Sequence, residues 1–416
     1  MIPRPGQERI EQARPGTLAR VRFDLCWRSD VAIHTDLRVV PRLELGRDRL
    51  PPALAAAVLD RPAGHVARLS IAPGELVPGL REELRLGLRA DPLRLPVRSG
   101  QGPGARIEPR VGRFYPRAIL GGVAGIERTD RRPFRVIEVQ GDSLKIDLNH
   151  PLAGRALDLI VSIESIQAHD GRTDGQGVEV AALITGDGPG MQAPWGEVRT
   201  DFWSDGPFER LDPRPDRDFY AKPRLVDHLD REAIAEIRSL YSRLIPRGAR
   251  ILDLMSSWHS HLEPALGPVS VVGLGMNRDE LEANPMLTEA RVQDLNDDPR
   301  LPFADARFTA VVCTVSIEYL IRPLEVLREV ARVLEPGGRF IVTFSDRWFP
   351  PKVIRIWQEL HGFERLALVL EALRESGQFG QLETWSLRGL PRPADDRYAD
   401  RLSQSDPVYA IWGRRI

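Results

Sequence analysis

The stretch LPFADARFTAVVCTVSIEYLIRPLEVLREVARVLEPGGRFIVTFSDRWF (301–349) decides the fold of the C-terminal half. An acidic loop leads into FTAVVCTV (308–315), a short β-rich run, and then into LEVLREVARVL (324–334), whose apolar residues recur at helical spacing. Glu335-Pro336-Gly337-Gly338 supplies a turn, and RFIVTF (339–344) reads as the next strand. Upstream, ARILDLM (249–255) and VSVVGLG (269–275) are two more strand-like runs. REAIAEIRSLYSRL (231–244) reads as a helix with Asp230 as its N-cap. Strands that alternate with helices imply a parallel, doubly wound sheet.

The block 301–349 closely resembles the central part of class I S-adenosylmethionine-dependent methyltransferases of the type 11 kind. QLETWSLRGL (381–390) and PVYAIWGRR (407–415) fit the paired strands that end such a sheet, so the resemblance covers about 219–416. It implies a Rossmann-like α/β domain with S-adenosyl-L-methionine across the C-terminal ends of its strands, and a methyl acceptor that the sequence does not name. Carried over position by position, the cofactor-binding candidates are Asp253, Met255, Ser257, Asn277, Asp294 and Leu295. Asp253 ends the first strand, while Met255, Ser257 and His259 stand where the family has glycines. The second strand of such domains ends in a ribose-binding acid; here Gly275 takes that place, with Asn277 two residues on as the substitute. Asp294-Leu295 matches the adenine-contact position, and Trp258 offers a stacking face. His259 and His261 read as loop-packing residues. Spacing identifies no general base, since methyl transfer from a sulfonium depends chiefly on alignment. Two readings stay open: a variant site built on Met-Ser-Ser-Trp, and a relic that no longer binds. Asp253 reads equally as a helix N-cap, and Asp294 as a solvated loop acid.

The N-terminal half has a different rhythm. RVRFDLCW (20–27) and HVARLSIAP (65–73) alternate as half-buried strands, and 50–59, containing PPALAAAVL, reads as a helix. FRVIEVQGDSLKIDL (134–148) is a hairpin turning at Gly141-Asp142, and ALDLIVSIESI (156–166) is a closing strand. Residues 169–194 carry many glycines and read as a linker or long loop. LELGRDRLPPALAAAVL (43–59) and VIEVQGDSLKIDLNHPLAG (136–154), followed by LDLIVSI (157–163), resemble the SlyD-like branch of FKBP-type peptidyl-prolyl isomerases. The fold class implied is multidomain: a β-rich FKBP-like α+β domain with an insert-in-flap β domain, then the methyltransferase-like domain. The expected boundaries are a disordered lead at 1–17, the FKBP-like domain at 18–81 plus 148–167, the insert at 82–147, a linker at 168–218 and the second domain at 219–416.

An isomerase pocket must favour the twisted imide over a planar bond whose rotation barrier is about 18–20 kcal/mol. The resemblance places Leu25, Leu43, Leu50, Leu54 and Leu159 at the pocket positions, with His34 where the family has an Asp. The same leucines read equally well as core. Phe114, Tyr115, Ile119, Leu120 and Val123, around Gly121-Gly122, are expected either to capture proline-containing or unfolded polypeptides or to form the insert's own core. His150 is expected to fix the return loop. No His/Cys-rich tail of the kind that binds nickel in some SlyD proteins is present in the sequence, so no metal site is expected.

Lys+Arg is 58 and Asp+Glu is 59 in 416 residues, a net charge of −1 that argues against a nucleic-acid surface. Cys26 and Cys313 lie in strand-like runs and read as small buried hydrophobes. No apolar run reaches the length of a membrane span, and a cytoplasmic location is expected. The functional expectation is a fusion of a proline-isomerase/chaperone module with a methyltransferase. The alternative is a non-catalytic interaction protein built from two degenerate enzyme folds.

Overall fold

A computed structural model describes residues 11–89, 93–94, 106–120, 123–171, 176–196, 198–267 and 269–416. The N-terminal half supplies β1 (Thr17–Arg28), β2 (Ile33–Glu44), α1 (Pro52–Val58) and β3 (Val66–Ile71). The insert follows with β4 (Arg85–Arg89), β5 (Leu93–Arg94), β6 (Arg106–Ile107), β7 (Phe114–Pro116), β8 (Pro133–Gln140) and β9 (Ser143–Asp147). Next come β10 (Leu157–Ala168), α2 (Val180–Thr185), α3 (Asp216–Phe219) and α4 (Arg231–Leu244). The C-terminal half continues with β11 (Arg250–Leu254), β12 (Ser270–Gly275), α5 (Arg278–Ala283), β13 (Glu289–Val292) and β14 (Phe308–Thr314). It ends with α6 (Pro323–Val333), β15 (Leu334–Phe344), α7 (Arg355–Glu359), α8 (Gly362–Ser376), β16 (Phe379–Arg388) and β17 (Val408–Arg415).

Within the C-terminal half the strands run β13-β12-β11-β14-β15-β17-β16, with β17 antiparallel to both neighbours. Alternation along each strand divides the core into two layers. Leu252, Val311 and Phe340 face α6 and α8, whereas Ile251, Val312 and Ile341 face α4. Asp230 caps α4, its carboxylate accepting from the backbone N–H of Glu232 and Ala233. The first crossover departs from the expected alternation. Between β11 and β12 the chain makes only a three-residue 3₁₀ turn, Pro264–Leu266, so Asp253 caps no helix.

The two halves share one sheet. Parallel pairing of β16 with β2 extends the order through β1, β10 and β3 to eleven strands. The seam is polar and buried. Arg388 donates to both Asp36 carboxylate oxygens at 2.7 and 3.1 Å, and Ser386 Oγ adds a third bond at 2.6 Å. Arg388 also reaches the carbonyls of Ile184 and Gly186, which ties α2 into the same knot. On the opposite face of the sheet from this knot, Leu37 and Val39 of β2 pack with Trp385 and Leu387 of β16. The stretch 168–218, expected as a linker, is therefore part of the packed body: Val180, Ile184, Met191 and Phe202 are all buried in the cores. Nor is the lead wholly loose, since Ala13 is buried in the N-terminal core and its N–H donates to the Arg61 carbonyl.

The insert has its own four-stranded sheet, β4-β9-β8-β7. Tyr115, Ile119 and Leu120 pack with Phe134, Val136, Leu144 and Ile146, with Val123 against them. Phe114 instead joins the core of the C-terminal half, and its N–H donates to Glu364 of α8 at 2.9 Å. Of the two readings of this group, these contacts describe the insert's own core for Tyr115, Ile119 and Leu120; Gly121-Gly122 lies outside the described residues. Cys26 and Cys313 are free thiols, Cys313 fully buried. Among the described residues no helix is long and apolar enough to cross a membrane.

Candidate active-site cleft

A cleft opens at the carboxyl ends of β11, β12 and β14 and encloses about 1120 Å³, counted out to its mouth. Asp253, Met255, Ser257, Asp294 and Leu295 line it, as do Trp258, Gly275, Glu280 and Thr314. Five of the six sequence candidates therefore converge. The sixth, Asn277, does not line it. Its Oδ1 caps α5 by accepting from the Glu280 N–H, and its Nδ2 donates to the carbonyls of Tyr220 and Ala221.

Gly275 explains why no acid stands at the end of β12. A Cβ there would lie 2.1 Å from the Ser256 carbonyl oxygen, because the loop after β11 crosses directly over this backbone. The acid comes from elsewhere. Glu280, in the first turn of α5, is buried on the cleft wall and accepts from Ser257 Oγ at 2.6 Å and the Arg224 N–H at 2.7 Å. In the sequence, Asn277-Arg278-Asp279-Glu280 has the spacing of a capping box, which gives Glu280 an ordinary structural role. Asn277 does cap the helix, but the Glu280 carboxylate turns into the cleft instead of back to residue 277.

Asp253 is buried and accepts from Ser256 Oγ at 2.6 Å. Burial pushes its carboxyl up to about 6, against the opposing pull of the Ser256 and Ser260 hydroxyls. Asp294 is half-buried and also raised by burial, while its Oδ1 accepts from the Asn296 N–H. Met255, His261 and Val315 on the cleft wall all have left-handed backbone, with φ of 59°, 53° and 48°. For a β-branched residue such as Val315 that conformation is strained, and such strain gathers at functional sites.

One wall is formed by the segment 216–228, which the surrounding packing holds in place. Asp216 accepts from Arg210 and from Asn296 Nδ2 at 2.8 Å, and pairs with the fully buried Lys352 at 3.2 Å. Arg224 lies over the rings of Phe219, Phe349 and Tyr220. His259 bonds Asp227 at 2.9 Å, and Trp258 stacks on His259 while its indole N–H donates to the Val226 carbonyl. His259 and Trp258 join the loop after β11 to the 226–228 segment, and His261 meets the His259 ring edge-on. Burial lowers His261 to about 4, so it stands neutral.

The proline-pocket candidates fare differently. Leu25, Leu43, Leu54 and Leu159 are fully buried in the N-terminal core, and Leu50 packs against it. Val180 and Ile184 of α2 belong to the same cluster, so the space such a pocket would need is filled by side chains. His34 is in the seam: its ring bonds Thr384 Oγ1 at 2.8 Å and Ser29 Oγ at 2.9 Å, and burial lowers it to about 3. None of the six forms a pocket. His150 does hold the return loop, its Nδ1 accepting from the Leu152 N–H at 3.1 Å.

Residues 260–342 match the family model described as methyltransferase domain. The chain is 27% identical over 144 residues to the ubiquinone/menaquinone biosynthesis C-methyltransferase UbiE of Laribacter hongkongensis, covering 33% of this chain and 57% of that protein. It is 30% identical over 124 residues to the FKBP-type peptidyl-prolyl cis-trans isomerase SlyD of Treponema pallidum, covering 29% of this chain and 59% of that protein. An S-adenosylmethionine-dependent methyltransferase from Mesorhizobium loti superposes with a TM-score of 0.30 at 17% identity, covering 43% of this chain and 96% of that structure. The chain thus spans under two thirds of the length of these two curated relatives. Residues 260–342, within the C-terminal half, thus match a methyltransferase domain, a class that takes its methyl group from S-adenosylmethionine. The cleft fits that group: Asp294 and Glu280 offer acceptor oxygens for hydroxyl and amino donors, and Leu274, Leu295 and Leu320 offer an apolar face. Gly275 keeps the backbone bare where the loop after β11 crosses it.

Proposed function

We propose that this protein transfers a methyl group from S-adenosylmethionine bound in the cleft at the ends of β11, β12 and β14, and that its N-terminal half serves as scaffold. The observation that carries the reading is the convergence of Asp253, Glu280, Asp294 and Leu295 on one cleft at the carboxyl edge of a parallel sheet. Bound S-adenosylmethionine supplies an electrophilic methyl on a sulfonium. Glu280 and Asp294 hold the polar groups of the cofactor, and Leu295 packs against its flat part. Asp253, raised by burial, holds the loop after β11 through Ser256. Tyr220, Arg224 and Phe349 form the wall past which an acceptor enters and is oriented.

The resemblance of residues 18–167 to SlyD-like isomerases speaks for a shared ancestry of the fold. What speaks for a scaffold is the filling of all six pocket positions by core and seam contacts. Titration of the full chain with S-adenosylmethionine tests the first part. A proline-isomerisation assay without a coupling protease tests the second, with an expected rate equal to that of the uncatalysed peptide. A rate typical of FKBP-type enzymes would overturn the scaffold reading.

A further inference from the structure

A second cavity lies away from the cleft, between the insert, the return loop 149–155 and Pro194–Gly196. It encloses about 900 Å³ and is lined by none of the six pocket candidates. Three guanidinium groups meet there. Arg135 is buried, donates to the Ala193 carbonyl at 2.7 Å, and lies 4.1 Å over the Phe114 ring, yet its Nε has no partner. Arg85 lies 4.9 Å over the Trp195 ring. Arg155 is half-buried on the return loop, with one Nη on the Arg28 carbonyl at 3.1 Å.

The compensating charge is uneven: Arg85 Nη1 donates to both carboxylate oxygens of Glu82, at 2.5 and 2.8 Å, and Asp30 favours the charged form of Arg155, while among the described residues Arg135 has no ion-pair partner at hydrogen-bond distance. Asp147 is the acid on the cavity wall, 3.6 Å from Arg85, and one of its oxygens is taken by Asn149. Glu364 lies behind Phe114, already accepting from the Phe114 and His361 N–H groups. His150 is also on the wall and stands neutral, lowered to about 4 by burial. Burial, with the like charge of Arg155, lowers Arg135 to about 9. The Arg135 Nε, buried beside a roomy cavity with no partner, is costly to leave without an anion to satisfy it.

We propose that this cavity binds an organic anion, with its carboxylate or phosphate group on Arg135 and Arg155 and its apolar part against Trp195 and Leu80. The test is calorimetric titration of the full chain, at low ionic strength, with benzoate, phenyl phosphate and inorganic phosphate. Saturable heat with benzoate or with the phosphates supports the site and tells which oxyanion it takes. Arg155→Gln should weaken that binding about tenfold, the loss of one charge-assisted hydrogen bond, and Arg85→Gln should weaken it by less, through the loss of one nearby positive charge that Glu82 already pairs. Trp195→Ala should weaken benzoate and phenyl phosphate and leave inorganic phosphate unchanged. Thermal unfolding of each variant confirms that it is folded, and S-adenosylmethionine binding should be unchanged in all three. Absence of saturable heat with all three probes up to millimolar concentration overturns the proposal. Equal affinities in the wild type and both Arg variants overturn it as well.

Discussion

The two halves of this chain depart from the patterns they resemble in the same way, by replacing residues at the expected site, but with opposite results. In the N-terminal half, leucines stand at the pocket positions that the resemblance implies, and they are packed as core. Leu25, Leu54 and Leu159 pack with Val180 and Ile184 into one core. In the C-terminal half Met255 and Ser257 replace glycines, and the cleft persists. A pocket inside a core is defined by side-chain volume, and filling it gains about 25 cal/mol per Å² of apolar surface buried. A cleft at the carboxyl ends of a parallel sheet is defined by where strands stop and loops diverge. Side chains on its lip alter its lining without removing it.

That contrast depends on the seam, and the largest effect is expected there. Arg388→Ala leaves Asp36 buried without its cation, which should lower stability by about 3–5 kcal/mol. Denaturant unfolding of the wild type should follow one transition for both halves. Two separated transitions would show that β2 and β16 do not join the cores. Asp294→Ala and Glu280→Ala should each weaken S-adenosylmethionine by about 1.5–3 kcal/mol in calorimetry. Asn277→Ala should instead cost about 1 kcal/mol of stability, as the loss of a helix cap does. Leu159→Phe places a large aromatic ring at one of the expected pocket positions. In a filled core it should destabilise by about 1–3 kcal/mol, whereas an open pocket would accept the ring at no cost in melting temperature.

A further effect concerns pH. Glu318 is fully buried beside the cleft residue Tyr319, its two carboxylate oxygens lack partners, and burial raises it to about 8. Its folded value lies above the ordinary one, so its contribution to stability is complete in acid and is lost as pH rises through about 8. Asp253 has the same sign, with its loss complete above about 6. The wild type should therefore lose melting temperature relative to Glu318→Gln between about pH 5 and about pH 9. Parallel curves for the two proteins would show that Glu318 is not held protonated.

The parallel sheet of the C-terminal half was legible because its strands and helices have clear periods and turn signals, from Ile251 through Phe344. The joint sheet was not. β2 carries His34 and Asp36 on its buried face and Pro41 within its span, which obscures any alternation. The polar pair that specifies the seam, Asp36 and Arg388, lies 352 residues apart in the chain. α2 is a six-residue helix inside a glycine-rich stretch and has no side-chain cap to announce it. In the cleft, Asp253, Asp294 and Leu295 were legible through the methyltransferase resemblance, which carries them over position by position. Glu280 has capping-box spacing, which gives it an ordinary structural role, and the steric reason for Gly275 lies in Ser256, nineteen residues earlier in the chain.

The central claim is that replacing the glycines left a working cofactor cleft. Calorimetric titration of S-adenosylmethionine into the full chain tests it most directly. The account predicts saturable binding that Asp294→Ala and Glu280→Ala weaken, with a matching rise in melting temperature for the wild type. No heat and no thermal shift at millimolar ligand would contradict it.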